Sequence, residues 1–272
     1  MLDLLERFPD VVLPFGTFLA LLPALRMRTY SISSASTPSS SSSSLSLTFS
    51  VLDQPARSSR PQSRSSTSTS TGSTRFLGVA SNYLADLVAG DVLYVGVKKA
   101  RDAFRLPKNI TETPVVMVAA GTGYAPFRGF VQELMIAARD NSKRQTNGNR
   151  KPAATTLFFG CRGPEDDIYR EELDEAERAG VVRVIRAYSR SVVSGVAAGH
   201  VQDALQQHKD ELVELWRIGA KFYVCGSTRM ASDVKDVVRD VASLAVGRNG
   251  ADADATWFSQ FELERYVAEI FA

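Results

Sequence analysis

Gly121-Thr122-Gly123 follows the apolar run Val115 to Ala120 and closely precedes Pro126. A buried strand ending in glycines lets the backbone approach a diphosphate closely. A helix opening near Pro126, a residue suited to the first helical turn, adds free N–H groups and positive dipole character. A tight strand-to-helix turn also needs glycine, so both readings stand at this point. Two more apolar runs end in polar groups. Tyr188-Ser189-Arg190 offers a hydroxyl and a guanidinium suited to a phosphate monoester. Cys225-Gly226 has Arg229 close behind. Cys225 is equally a small core residue, and Arg190 equally a solvated charge. Upstream, "RTYSISS" alternates Arg28, Tyr30 and Ile32 with Thr29, Ser31 and Ser33, the period-two pattern of a strand.

The elements that must position these residues alternate regularly from Pro114 onward. Strands are expected at 115–121, 155–161, 182–189 and 221–226, and helices at 126–139, 167–179, 201–218 and 230–246. Continuous apolar strands separated by helix-length segments argue an α/β domain, a doubly wound parallel sheet covered on both faces. Ligands bind such sheets at the carboxyl ends of the strands. The basic, Asn-rich stretch 139–151 reads as a solvent loop.

Before Pro114 the rhythm differs. "LSLTFSVL" (Leu45 to Leu52) and "VLYVGV" (Val92 to Val97) read as strands, and Ser81 or Asn82 as the cap of a short helix. Almost half the residues from Ser31 to Ser73 are serine, so Asp53 to Thr74 reads as a disordered excursion that buries too little apolar surface to order itself. Short amphipathic helices are expected at Leu2 to Arg7 and Phe15 to Leu25. Pro14 and Pro23 break the apolar runs there and no basic n-region precedes them, so neither a signal peptide nor a membrane anchor is expected.

Composition narrows the function classes. Hydrophobic content of 44% and charged content of 23% are those of a globular protein. A net charge of +2 gives no long-range field for nucleic acid or an anionic membrane. Cys161 and Cys225 are far apart, and His200 and His208 are the only histidines, so no disulfide framework and no metal site are expected. A reducing, cytoplasmic setting is the natural reading.

"RTYSISS", "GVASNYL", "GTGYAPFRGF", "LFFGCRGPEDDIYREEL", "AYSR", "HVQD" and "FYVCGSTRMASDV" occur in this order. The succession resembles the FAD- and NADPH-binding, ferredoxin-NADP reductase-like module of diflavin reductases, among them cytochrome P-450 reductase. The opening "LDLLERFP" and "PFGTFLALLPALRMRTYSISS" look most like the reductase part of self-sufficient, fused cytochromes P-450. The resemblance spans the chain apart from the Ser/Arg-rich insertion. It implies remnant connecting helices at 1–27, a partial antiparallel FAD-binding β-barrel at 28–110 with an insertion at 53–74, and a Rossmann-like NADP(H)-binding domain at 111–272. The reaction it implies is hydride transfer from NADPH to FAD, with an FMN domain or haem protein as onward acceptor.

Residue roles follow from the same resemblance. Arg28 would pair with the FAD diphosphate, Tyr30 would stack on the flavin, Ser31 would hydrogen-bond near its N5, and Thr48 would join that site. The backbone of Gly78, Val79, Ala80 and Ser81 would serve the same diphosphate. Gly121, Thr122 and Gly123 would meet the NADPH diphosphate, Ser189 and Arg190 the 2′-phosphate, and His200, Gln202 and Asp233 the remaining nucleotide. Cys225 and Gly226 would lie beside the nicotinamide, with Ser31, Cys225 and Glu269 tuning the charge that moves. Glu269 and Phe271 stand where the family usually has Asp and Trp; Phe271 either stacks on the flavin or packs the last strand. Residues 191–199 lack the family's lysine, His200 replaces a tyrosine and Ser227 an aspartate, so NADPH preference rests on Ser189 and Arg190. The family's module begins with barrel strands before the connecting helices, so the resemblance implies an incomplete barrel. Two other readings remain: a remnant that binds NADP(H) without holding FAD stably, and a single-flavin reductase with a soluble acceptor.

Overall fold

The computed structural model of the chain describes residues 5, 7–24, 26–35, 44–55, 75–143, 153–248 and 255–271. Helix α1 (Phe15–Leu21) ends earlier than expected: Leu22 turns extended just before Pro23, a residue that cannot continue a helix and forces its neighbour out of one. The expected helix at Leu2 to Arg7 falls mostly outside the described residues. Strand pairing here is sparser than the alternation implies. "RTYSISS" and "LSLTFSVL" meet through the single bridge Ile32–Leu47 and the bond from Ser33 N to Ser46 O, 2.8 Å. The paired strands lie just beyond, β1 (Asp53–Pro55) antiparallel to β2 (Arg75–Leu77). The expected excursion therefore starts no earlier than residue 56, and 56–74 lie outside the described residues. Helix α2 (Val79–Ala85) follows. The expected strand at 92–97 is not formed: the segment carries no ladder bond, and Val92, Tyr94, Val95 and Val97 are exposed. Alternation specifies a strand's faces, but only a neighbour's backbone makes it a strand.

The second half follows the expected alternation closely. In β3 (Val115–Ala120), Val116 and Val118 join one core cluster while Val115, Met117 and Ala119 join another. A strand buried on both faces needs helices on both. Helix α3 (Ala125–Lys143) runs beyond the expected end, taking in the first residues of the expected basic loop. Next come β4 (Thr155–Cys161), α4 (Arg170–Arg178), β5 (Arg183–Tyr188) and the two-residue β6 (Ala197–Ala198). The single helix expected at 201–218 is two, α5 (Val201–Gln207) and α6 (Lys209–Arg217), because His208 leaves helical geometry at φ −104°, ψ 20°. Strand β7 (Lys221–Ser227), helix α7 (Thr228–Ala245), the short α8 (Ala255–Ser259) and β8 (Tyr266–Phe271) complete the domain.

The sheet is parallel throughout, in the order β6-β5-β4-β3-β7-β8. From β3 the chain winds outward through β4, β5 and β6, then returns to β7 on the other side of β3. The topological switch point, where open α/β sheets bind ligands, thus falls between the carboxyl ends of β3 and β7. On one face Trp216 anchors the core against Phe222, Phe258 and Phe261, with the Arg265 guanidinium 4.1 Å over its ring. No helix among the described residues is long and apolar enough to cross a membrane.

Candidate nucleotide site

The turn after β3 is built by two glycines with different tasks. Gly121 adopts φ +52°, a left-handed conformation that favours glycine, and a Cβ there would meet nothing within 4 Å. Gly123 faces the opposite situation, because a Cβ would lie 2.1 Å from the Cys225 carbonyl oxygen. Gly123 is glycine so that the turn can press against the end of β7, and Gly121 leaves open space beside it. Thr122 lies half-buried between them, in the single 3₁₀ turn Gly121–Tyr124 that leads into α3.

Across the switch point, register places Cys225 opposite Glu269 and Ser227 opposite Phe271 on β7 and β8. Burial, with the Glu269 charge adding to it, pushes the Cys225 thiol up to about 12, so it is a neutral thiol at physiological pH. Burial likewise raises the Glu269 carboxyl, partly opposed by Arg101. Phe271 is 42% exposed at the strand's end. Its ring does not belong to the core.

On the other side, Ser189 and Arg190 leave the end of β5 tied to β4. Their amides donate to Cys161 O and Arg162 O, each at 2.9 Å, and Ser189 Oγ donates to Cys161 O at 3.3 Å. The Arg190 side chain is exposed and makes no ion pair among the described residues. Gln202 and Asp233, expected to share the nucleotide, meet directly: Gln202 Nε2 donates to Asp233 Oδ2 at 3.3 Å. His200 caps α5, its amide bonding Asp203 Oδ2 at 2.7 Å, which orients the helix start.

Of the residues expected at the flavin, Arg28, Tyr30, Ser31, Thr48 and Gly78 to Ser81 belong to the first half of the chain. Tyr30 meets Phe49 edge-on at 5.8 Å, and Arg28 is exposed. Thr48 Oγ1 lies 2.9 Å from the Tyr169 hydroxyl. In "GVAS" the side chain works structurally: Ser81 Oγ accepts from Leu52 N at 3.0 Å and donates to Gly78 O. A Cβ at Gly78 would lie 2.8 Å from Leu52 Cβ. That leaves the first-turn amides of α2, which have no intrahelical acceptor, as the donors available to an anion.

A family model for the oxidoreductase NAD-binding domain matches residues 117–236. Over its whole length the chain is 42% identical to a self-sufficient cytochrome P450 monooxygenase of Oidiodendron maius, across 277 aligned residues. It is 41% identical to a bifunctional cytochrome P450/NADPH–P450 reductase of Fusarium oxysporum and 43% identical to a self-sufficient cytochrome P450 monooxygenase of Aspergillus terreus. The chain spans less than a quarter of these relatives, 24%, 24% and 22% respectively. Since the NAD-binding domain lies inside the matched stretch, the likeness is to their reductase portion.

Sequence reasoning passed over the groups that hold the NAD-binding domain's strand ends in place. Asp167, with its side chain fully buried, accepts from Arg186 Nε at 2.8 Å and from the Tyr188 hydroxyl at 2.9 Å, fixing β5 just before Ser189. Burial and this bond push the Tyr188 hydroxyl up to about 12. Arg162, beside Arg190 just past the end of β4, is pinned to Asp166 at 2.7 Å. Among the described residues no cluster of three metal-ligating side chains occurs.

The raised Glu269 carboxyl makes a stability prediction. Below its ordinary value of 4.5 the group is protonated in both folded and unfolded chains. Above it, ionisation costs only the folded form, so stability is lost as pH rises through the folded value. Glu269→Gln is therefore expected to raise the thermal midpoint near neutral pH, with the gain vanishing in acid. About 1 kcal/mol moves the midpoint of a chain this size by roughly 2–4 °C, so a few degrees is the scale. A midpoint unchanged or lowered near neutral pH in differential scanning calorimetry would contradict the assignment.

Proposed function

We propose that the chain is an NADPH-dependent flavoprotein oxidoreductase module of the cytochrome P-450 reductase type, passing reducing equivalents from NADPH to FAD and onward to an FMN domain or haem protein. The observation that carries the reading is the meeting of Cys225 and Glu269 across β7 and β8, directly beside the Gly121–Gly123 turn at the switch point. The residues present fit NADPH. Gly121 leaves room for a diphosphate with Thr122 beside it, Arg190 is an exposed cation, without an ion pair among the described residues, for the 2′-phosphate, and Gln202 with Asp233 offers polar groups to the rest of the nucleotide. Cys225 stays protonated beside the nicotinamide position, so it orients without competing as a nucleophile.

FAD, when bound, supplies the ring that accepts the hydride. Around it Arg28 would neutralise diphosphate charge, the first-turn amides of α2 would add donors, Tyr30 would stack, and Ser31 would present its hydroxyl at the reacting edge. Phe271, exposed at the end of β8, would cover the same ring. The free thiols of Cys161 and Cys225 fit a reducing, cytoplasmic compartment.

A second reading has its own observation. The unpaired, exposed segment Val92 to Val97 and the three-residue pairing of β1 with β2 favour a chain that binds NADP(H) but does not hold FAD stably. Reconstitution separates the two. Protein incubated with FAD and freed of excess is expected to stay yellow and to bleach when NADPH is added without oxygen. A colourless protein whose thermal midpoint still rises with NADP⁺ selects the second reading, and one that responds to neither contradicts both. Arg190→Ala is expected to weaken NADPH about tenfold to a hundredfold, since a charge-assisted hydrogen bond is worth roughly 1.5–3 kcal/mol, while leaving NADH nearly unchanged. Equal losses for both nucleotides in calorimetric titration would refute the role of Arg190.

A further inference from the structure

Helix α3 begins at the nucleotide turn, and one turn into it stands Arg128, with its side chain only 16% exposed. Its guanidinium is committed three ways. Nε donates to Glu172 Oε2 of α4 at 2.9 Å, Nη1 donates to the Ser33 carbonyl at 2.9 Å, and the plane lies 4.3 Å over the Tyr169 ring. One helical turn on, Gln132 donates to the other Glu172 oxygen and accepts from the Ala35 amide, both at 2.9 Å. The chain at Ser34 runs so near α3 that a Cβ on Gly129 would lie 3.4 Å from the Ser34 carbonyl oxygen. Tyr169, besides stacking on Arg128 and reaching Thr48, is held at φ +59°. A bulky residue keeps such a left-handed conformation only where its surroundings over-determine it.

These contacts join two sets of residues that the chain keeps far apart. Ser33 and Ala35 lie within five residues of Tyr30 and Ser31, and Thr48 lies on the neighbouring segment. Arg128 and Gln132 lie on α3, the helix that follows the turn holding Thr122 and Gly123. Hydride transfer requires rings held at about 3–3.5 Å, and a misplacement of ~1 Å costs on the order of a hundredfold in rate. Resting on the functional reading above, we propose that Arg128, Gln132, Glu172 and Tyr169 form a positioning latch that sets the flavin segment against the nicotinamide end of the NAD-binding domain. Arg128 acts as its hub because only a planar fork can donate in two directions and stack at once. None of the four contacts the reacting atoms; they act through Ser31 and Thr122.

The test compares the wild-type chain with Arg128→Gln and with Gln132→Ala, which removes the Ala35 bond without leaving a buried charge unpaired. Three quantities are read: amide hydrogen exchange of the peptide covering residues 30–35, NADP⁺ affinity, and the rate of FAD reduction at saturating NADPH. Exchange in 30–35 is expected to speed up while exchange in β3 stays unchanged. NADP⁺ affinity is expected to hold within about twofold while reduction slows about tenfold or more, a loss in kcat rather than KM. Unchanged exchange in 30–35 would overturn the latch, as would NADP⁺ affinity falling in step with the rate. If wild-type protein takes up no FAD, the functional reading fails, and the exchange comparison alone decides whether the segment is latched.

Discussion

The structure depends on how closely the β3–α3 turn presses against the end of β7. With Gly123 lacking a side chain, the turn reaches the Cys225 carbonyl, and any Cβ would be forced to 2.1 Å. This close approach seats α3 at the switch point and brings Gly123 against Cys225. Neighbouring Gly121 meets no such crowding: its φ of +52° favours glycine, and a Cβ there would meet nothing within 4 Å. One three-residue turn thus combines a packing constraint with an open space, which is why the bare GxG pattern admits either meaning from sequence.

Around that contact the charged groups fall into two kinds. Buried ones are paired: Asp167 holds Arg186 and the Tyr188 hydroxyl, and Arg186 also reaches Asp174 at 2.6 Å. Breaking a pair of that kind is expensive because it strands a charge in a poor solvent for it, about 3–5 kcal/mol. Arg190, two residues beyond that fixed strand, is exposed and makes no ion pair among the described residues. A rigid strand that ends in an uncommitted cation is a sound way to present a phosphate ligand. Cys225 and Glu269 contrast with it, since burial raises both groups and favours their neutral forms beside the expected nicotinamide position.

The parallel-sheet half was legible because its strands are apolar on both faces, which leaves a continuous run that few other structures produce. Val115 to Ala119 announce themselves in this way. The break at His208 was not legible, as α5 and α6 share one amphipathic rhythm. In the first half, "RTYSISS" shows the period of a strand but bonds its neighbour at one bridge, with the ladder displaced to Asp53–Pro55. Period reports which face is apolar and is silent about partners. The pairing of Cys225 with Glu269 needed the register of β8 on β7. The ties of Arg128 to Ser33 and of Gln132 to Ala35 cross 95 and 97 residues of chain, and no local pattern encodes a contact at that distance.

The central claim is that the carboxyl ends of β3, β5 and β7 form one nucleotide site. Backbone amide NMR during titration with NADP⁺ tests it most directly. The prediction is that the resonances of Gly121 to Gly123, Ser189 and Arg190, Gln202, and Cys225 to Ser227 shift together along one binding curve, while those of α8 stay still. Shifts confined to other surfaces, or none at nucleotide concentrations that saturate related domains, would contradict it.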